Sequence, residues 1–146
     1  MRTIAAAFRD HQTGILDRLD DARVLLTAPV APPAASLDES RAGIGESLAS
    51  YQAFKHHDVY DPIVAGDGDD AAAAAALKAD CITLSDDYRA YDAAARAGAS
   101  GGFETYRRAT LAMADQIRLA LIREFAIVQQ LHVYRDYAGR PATDHG

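Results

Sequence analysis

Apolar residues along the chain recur every three or four positions, which is the spacing of amphipathic helices. The first stretch places seven residues on one stripe: Ile4, Phe8, His11, Ile15, Leu19, Ala22 and Leu26. The same spacing returns over residues 77–95 and 103–134. No run alternates with period two, so the pattern predicts helices and no strands.

Three segments rich in proline or glycine interrupt this pattern, at residues 28–36, 65–70 and 98–102. They leave four predicted helices over about 3–27, 37–64, 70–97 and 103–138. Short connections between long helices favour antiparallel neighbours, so we expect an all-α, up-down-up-down four-helix bundle. This single domain would cover residues 1–139, and residues 140–146 read as a disordered tail.

Length and charge restrict the partners. A chain of 146 residues suits one domain. Its net charge is −6 and its basic residues are scattered, which argues against nucleic acid or an anionic membrane as a partner. The single cysteine, Cys81, excludes an internal disulfide, and no apolar stretch approaches the roughly 18 residues of a membrane span. These features predict a cytoplasmic protein.

Two polar residues occupy positions on the apolar stripes. His11 lies between Phe8 and Ile15, and Glu124 lies between Ala120 and Ile127. A buried carboxylate costs several kcal/mol unless it is paired, protonated or metal-bound.

Bundles bring side chains from different helices together at one level. We therefore expect one side chain from each helix to converge: His11, His57, either Cys81 or Asp80, and Glu124.

Each of these residues also has a structural interpretation. A histidine on an apolar stripe is more often a hydrogen-bonded packing residue than a ligand, and Glu124 could form a structural salt bridge, for instance with an arginine. Cys81 is most simply a small core residue. Asp58 and Asp61 near a helix C-terminus oppose the helix dipole.

The layout resembles the hemerythrin-like (HHE cation-binding) domains over essentially the whole chain. The segment FRDHQTGILDRL is similar to the Asp-His and following aliphatic residues of that family, which makes His11 the matching ligand. The resemblance implies a four-helix bundle that holds a di-iron site with histidines and carboxylates. Aligning the family proline with Pro62 puts Ala53 at a histidine position and His57 at a glutamate position.

The fourth helix of the resemblance similarly puts Ala120 at a histidine position and Glu124 at a glutamate position. Cys81 or Asp80 stands where the third helix of the family carries a histidine. An alternative register pairs His57 with Asp61.

The remaining candidate ligands are His11, His57, Asp61 and Glu124. Two iron ions need more ligands than this set provides. The set therefore favours no metal, or a single iron or zinc, over a di-iron centre. Haem held by His11 or His57 is a further alternative.

We favour a polar pocket in the bundle core that binds, or acts on, a small molecule. Glu124 would be the general acid/base, His57 its partner and His11 a second basic group. Ala53 and Ala120 would leave space for the ligand. The residues expected around the pocket are Asp61, Asp58, Cys81, Asp80, Tyr88, Tyr51 and Met113.

Two other functions compete with the pocket. One is a mononuclear metal site with an oxygen-related or metal-sensing role. The other is a non-catalytic helical interaction module, covered by a partner or by a second copy in a homodimer. A solvent-facing His57 would favour the interaction module.

Overall fold

The computed structural model describes residues 2–66, 68–98, 101–131, 134 and 137–143. Its elements in chain order are α1 (Ile4–Leu26), α2 (Ala34–Phe54), a π-helix (Lys55–Tyr60), α3 (Asp61–Ala65), α4 (Ala71–Arg96) and α5 (Phe103–Val128). The described part of the chain is helical and contains no β-strand, which confirms the all-α prediction. Within the described residues, no helix combines the length and the apolar character needed to cross a membrane.

The predicted stripes form the core. Thr3 caps α1 by accepting a hydrogen bond from the backbone N–H of Ala6 (3.1 Å). Helix α1 packs against α2 and α5, and α4 packs against the same two helices. Phe8 is fully buried, and its ring meets those of Tyr51 and Phe54 edge-on, with centroids 5.6 and 5.7 Å away.

The second helical segment passes through Pro62 and ends at Ala65. In a regular α-helix the proline ring would press against the carbonyl of residue 58, and no N–H would be available to bond it. The chain widens into the π-helix just before this point, and the N–H of Asp61 bonds the carbonyl of His56, five residues back. The wider turn accommodates Pro62 without ending the helix.

Helix α5 is shorter than predicted. The expected continuous helix over residues 103–138 stops at Val128, residues 129–131 make a turn, and Tyr134 and Tyr137 are helical again. The apolar spacing runs on through Leu131 and Tyr134, both buried, and no glycine or proline marks the break. No residue in this part of the sequence therefore predicts the interruption.

Residues 140–143, which the sequence assigned to a disordered tail, pair with the opposite end of the chain. The carbonyls of Ala138 and Arg140 accept the backbone N–H groups of Ala5 (2.9 Å) and Ile4 (2.8 Å). The N–H of Ala142 donates to the carbonyl of Arg2 (2.8 Å). These contacts bond N–H groups that the first turn of α1 cannot bond itself. Residues 144–146 lie outside the described residues.

Candidate functional site

The carboxylate of Glu124 is the centre of a buried polar cluster. Its side chain is only 9% exposed and lies at the expected place on the apolar stripe of α5. Four side chains donate to its two oxygens: Tyr51, Lys55, Tyr60 and Cys81. Glu124 is therefore buried and paired, which is one of the three states expected of a carboxylate on an apolar stripe.

Lys55 is the charged partner of Glu124. Its Nζ lies 3.0 Å from Oε1 and 2.8 Å from Oε2, and only 6% of the side chain is exposed. The same Nζ lies 2.9 Å from the Sγ of Cys81 and 3.8 Å from the centre of the Tyr51 ring. The ammonium is therefore held by a carboxylate, a thiol and an aromatic face, which together offset much of the cost of burying its charge.

Two tyrosine hydroxyls complete the shell of Glu124. Tyr51 Oη donates to Oε1 (2.7 Å), and Tyr60 Oη donates to Oε2 (2.5 Å). Gln12 of α1 donates in turn to the hydroxyl of Tyr51 (3.0 Å), which leaves the proton of Tyr51 directed at the carboxylate. This chain of hydrogen bonds connects α1, α2 and α5.

The π-helix allows Lys55 and Tyr60 to reach the same carboxylate. Residues five apart on a regular α-helix point roughly 140° away from one another, because each residue turns about 100°. Lys55 and Tyr60 are the first and last residues of the π-helix, and both contact Glu124. Unusual π turns of this kind often accompany functional sites.

Burial keeps the neutral donors of the cluster protonated. It raises the pKa of the Cys81 thiol to about 12, with the charge of Lys55 acting in the opposite direction. Burial, reinforced by the negative charge of Glu124, also raises the pKa of both Tyr51 and Tyr60. At neutral pH the thiol and both phenols therefore act as hydrogen-bond donors rather than as nucleophiles.

A cavity of about 310 Å³ opens beside this cluster, between α2, α4 and α5. Tyr51, Lys55, Cys81 and Glu124 all contribute to its lining. The apolar part of the wall comprises Leu48, Leu77, Leu84, Leu119, Ala120, Leu121 and Ile127. Polar side chains complete the lining, including Gln52 and Ser85, which are hydrogen-bonded to each other. Asp80, Asp87 and Arg123 also line the cavity. A concave space with apolar walls and a few polar groups is typical of a small-molecule site.

The predicted convergence of His11 and His57 on Glu124 is wrong. His11 is partly buried and stacks on Phe54, with ring centroids 5.1 Å apart, and it does not line the cavity. The side chain of His57 is 62% exposed, and its Nδ1 lies 2.8 Å from a carboxylate oxygen of Asp58. The π-helix changes the rotation per residue here, so Lys55 rather than His57 faces Glu124. A solvent-facing His57 is the arrangement that the sequence analysis associated with an interaction module.

The other predicted pocket residues divide into two groups. Tyr51, Cys81 and Asp80 line the cavity, although Asp80 is exposed. Four residues lie elsewhere: Asp58, Asp61, Tyr88 and Met113.

Each of these four has a different environment. Asp58 is buried and accepts the backbone N–H of Thr143 (3.0 Å). Asp61 pairs with Lys78 (2.6 Å). The hydroxyl of Tyr88 donates to the carbonyl of Arg41 (2.6 Å), and Met113 belongs to the buried core.

The donor set does not fit a metal centre. No cluster of three or more His, Cys, Asp or Glu side chains suited to holding an ion occurs among the described residues. Of the proposed ligands, His57 and Asp61 lie at exposed positions, while His11 stacks on Phe54. Glu124 is occupied by the ammonium of Lys55, which an incoming metal ion would have to displace. The ligand sets expected for one or two metal ions are therefore not assembled.

Lys55 and Tyr60 were missed by the sequence analysis. Lys55 continues the stripe of Ile44, Leu48 and Tyr51 by a further step of four, so a lysine on an apolar stripe was the available signal. The Glu124 partner was expected to be a histidine or an arginine. Tyr60 carried no such signal, because its orientation depends on the π-helix.

No protein-family model, curated protein or solved structure matches this chain.

Proposed function

We propose that this protein is a four-helix bundle that binds a small, largely apolar molecule in the cavity between α2, α4 and α5. The observation that carries the proposal is a cavity of about 310 Å³ beside a buried Lys55–Glu124 ion pair. A structural ion pair alone does not require an adjacent chamber, since well-packed cores contain few voids larger than a water molecule.

The up-down-up-down order and the hemerythrin-like relationship belong to the proposal. The pairwise packing of α1 with α2, α2 with α4, α4 with α5 and α5 with α1 supports a ring of four helices. In this view Ala120, matched to a large ligand position of the family, leaves part of the space that a ligand fills. Lys55 supplies a fixed positive charge beside Glu124.

The lining suggests how a ligand would be held. Leucine, isoleucine and alanine side chains would bury its apolar body. Its polar end would face Lys55 and Glu124, which carry one charge of each sign and so do not select a strongly charged molecule. Neutral compounds with one hydrogen-bonding group fit this environment best.

The test measures ligand-induced stabilisation. Benzyl alcohol and other neutral fragments would be added to the full chain, and the melting temperature followed as a function of concentration. A compound that binds only the folded state raises the melting temperature, and the increase grows with concentration. The substitution Ala120→Phe would occupy cavity space while leaving both residues of the ion pair in the sequence, and we expect it to abolish the increase.

Ala126→Phe is the matched control. Ala126 is an exposed residue of the same helix that does not line the cavity, so this variant should retain the response. If no fragment stabilises the wild-type chain, or if both variants respond equally, the cavity is not a binding site.

An interaction module remains the second candidate, favoured by exposed apolar side chains on α4 and α5. Leu119 and Ile122 of α5 are 60% and 67% exposed, and Ile82 of α4 is 44% exposed. Exposed apolar side chains of this kind are found at interfaces with a second copy or with another helix. The mass in solution at several concentrations, measured for the wild type and for Ile122→Asp, separates this function from the pocket.

A further inference from the structure

Lysine is a rare basic residue in this chain. Of its 15 basic residues, Lys55 and Lys78 are the only lysines, and all the others are arginines. Arginine is the usual choice for a buried ion pair, because its guanidinium is more weakly hydrated and matches a carboxylate with two parallel hydrogen bonds. The buried ion pair with Glu124 nevertheless contains a primary amine, which offers chemistry that a guanidinium does not.

The surroundings of Lys55 are suited to that chemistry. Its Nζ is within 3.0 Å of both oxygens of Glu124, which is close enough for the carboxylate to take and return a proton. Tyr51 and Tyr60 each donate to one oxygen of Glu124 and so fix the position of the group that takes the proton from Lys55. The residue also lines the 310 Å³ cavity, so its side chain borders space that a small molecule could occupy.

We propose that Lys55 is a nucleophilic lysine that condenses with an aldehyde or ketone of apolar body to form an imine in this cavity. The inference rests on the proposed function, because the carbonyl compound occupies the same chamber. Glu124 is the acid/base group, and the apolar walls hold the body of the substrate.

The first half of the reaction forms the C–N bond. Glu124 takes a proton from the Lys55 ammonium, and the free amine attacks the carbonyl carbon. The C–N bond forms while the carbonyl π electrons move to oxygen, which receives the proton from Glu124.

The second half releases water. The nitrogen passes a proton to Glu124, and Glu124 transfers it to the hydroxyl. The C–O bond breaks, water leaves, and the nitrogen lone pair completes the C=N bond. The sum is ammonium plus carbonyl compound giving iminium plus water, with no oxidant or reductant required.

The charge balance favours this product. Both the ammonium and the protonated imine carry one positive charge, so the nitrogen is cationic whenever Glu124 is ionised. The cost of leaving a buried carboxylate unpaired is therefore avoided. Cys81, whose pKa is raised to about 12 by burial, stays a thiol and does not compete for the carbonyl.

The experiment traps the imine. The full chain would be incubated with benzaldehyde and sodium cyanoborohydride, which converts an imine into a stable secondary amine. Peptide mapping by mass spectrometry would then locate the adduct. We expect Lys55 to be modified at least about tenfold faster than Lys78, which is more exposed and lacks an adjacent cavity.

Substitutions test which side chains are responsible for fast adduct formation at Lys55. Lys55→Arg should remove the fast adduct, and Glu124→Gln should slow it by about a hundredfold. Lys78→Arg should leave it unchanged, and Ala120→Phe should reduce it to the rate of Lys78. Circular dichroism would check that each variant folds. The comparison of Lys55 with Lys78 within the wild-type chain holds even if a variant does not fold.

Benzyl alcohol separates the two proposals, since it resembles benzaldehyde and cannot form an imine. Stabilisation by benzyl alcohol with no preference for Lys55 would overturn the imine and leave the binding function intact. Stabilisation by neither compound, with no preference for Lys55, would overturn both. A fast adduct at Lys55 that benzyl alcohol suppresses supports both.

Discussion

The buried carboxylate of Asp58 accepts the backbone N–H of Thr143 at 3.0 Å, which links the π-helix to the C-terminal segment. These two residues are 85 positions apart in the sequence. The contact joins the segment that pairs with the start of α1 to the helical turn that carries Lys55 and Tyr60. The packing of the chain ends and the geometry of the site are therefore physically connected.

Removing the carboxylate of Asp58 should release the C-terminal segment. We expect Asp58→Ala to lower the free energy of unfolding by about 1.5–3 kcal/mol, the range for a hydrogen bond to a charged group. Amide hydrogen exchange at Thr143 and Ala142 should become faster. Asp61→Ala is the control, because Asp61 pairs with Lys78 at the surface and its loss should change stability by less than about 1 kcal/mol. Unchanged exchange at Thr143 would contradict the anchoring role.

Breaking the central ion pair should destabilise the fold. Lys55→Met leaves the carboxylate of Glu124 without its cation, and we expect a loss of about 3–5 kcal/mol in urea unfolding. The double variant Lys55→Met with Glu124→Gln should recover part of that loss, since no unpaired charge remains and the amide oxygen still accepts a tyrosine hydroxyl. Lys78→Met should cost less than about 1 kcal/mol. A loss in Lys55→Met no larger than that of the control would argue against the buried pair.

The free energy of unfolding should decrease as the pH falls below the ordinary histidine pKa of 6.5. Burial, followed by the nearby positive charge of Arg2, lowers the pKa of His11 from its ordinary 6.5. Burial and the charge of Lys78 likewise lower the pKa of His56. Because the unfolded chain binds protons first, stability is fully present above pH 6.5 and is lost as the pH falls through the lowered folded-state pKa values.

Urea midpoints at about pH 7.5 and about pH 5.5 measure this loss. His11→Gln removes one of the two groups and should make the difference between the midpoints smaller. A midpoint difference that is the same in the variant and in the wild type would show that His11 does not contribute.

Two glycines should respond in opposite directions to alanine. Gly43 lies inside α2, and a Cβ there would meet only the flexible guanidinium end of Arg18, which can move aside. Gly43→Ala should therefore raise stability by about 0.5–1 kcal/mol through the higher helix propensity of alanine. Gly102, with φ of 118°, precedes α5 in a conformation that favours glycine, so Gly102→Ala should cost about 1–3 kcal/mol. Melting temperatures that shift in the same direction would refute this contrast.

The predicted helices agree with those of the structure where the apolar spacing is bounded by proline or glycine. The break after Val128 was missed, because the apolar spacing continues through it without such a residue. The segment after the break packs on α1, where the ring of Tyr134 lies 6.0 Å from that of Phe8. Such long-range contacts are not visible in the local sequence.

The sequence predicts the central residue of the site, Glu124, but does not predict its contacts with Lys55 and Tyr60. Glu124 was identified because a carboxylate on an apolar stripe must find a partner. The expected partner was a histidine or an arginine, whereas the apolar stripe of α2 leads to Lys55, four residues after Tyr51. The outward direction of His57 depends on the π-helix, whose local change in rotation a fixed period of 3.6 cannot represent.

The cavity beside the Lys55–Glu124 pair has an electrical consequence. An apolar guest in that chamber would give the two charges surroundings of lower dielectric constant than water would. The attraction between ammonium and carboxylate would then increase as the chamber fills. Occupancy by a guest and the strength of the internal ion pair would thus rise together, so that the wall of the chamber becomes more rigid when it is full.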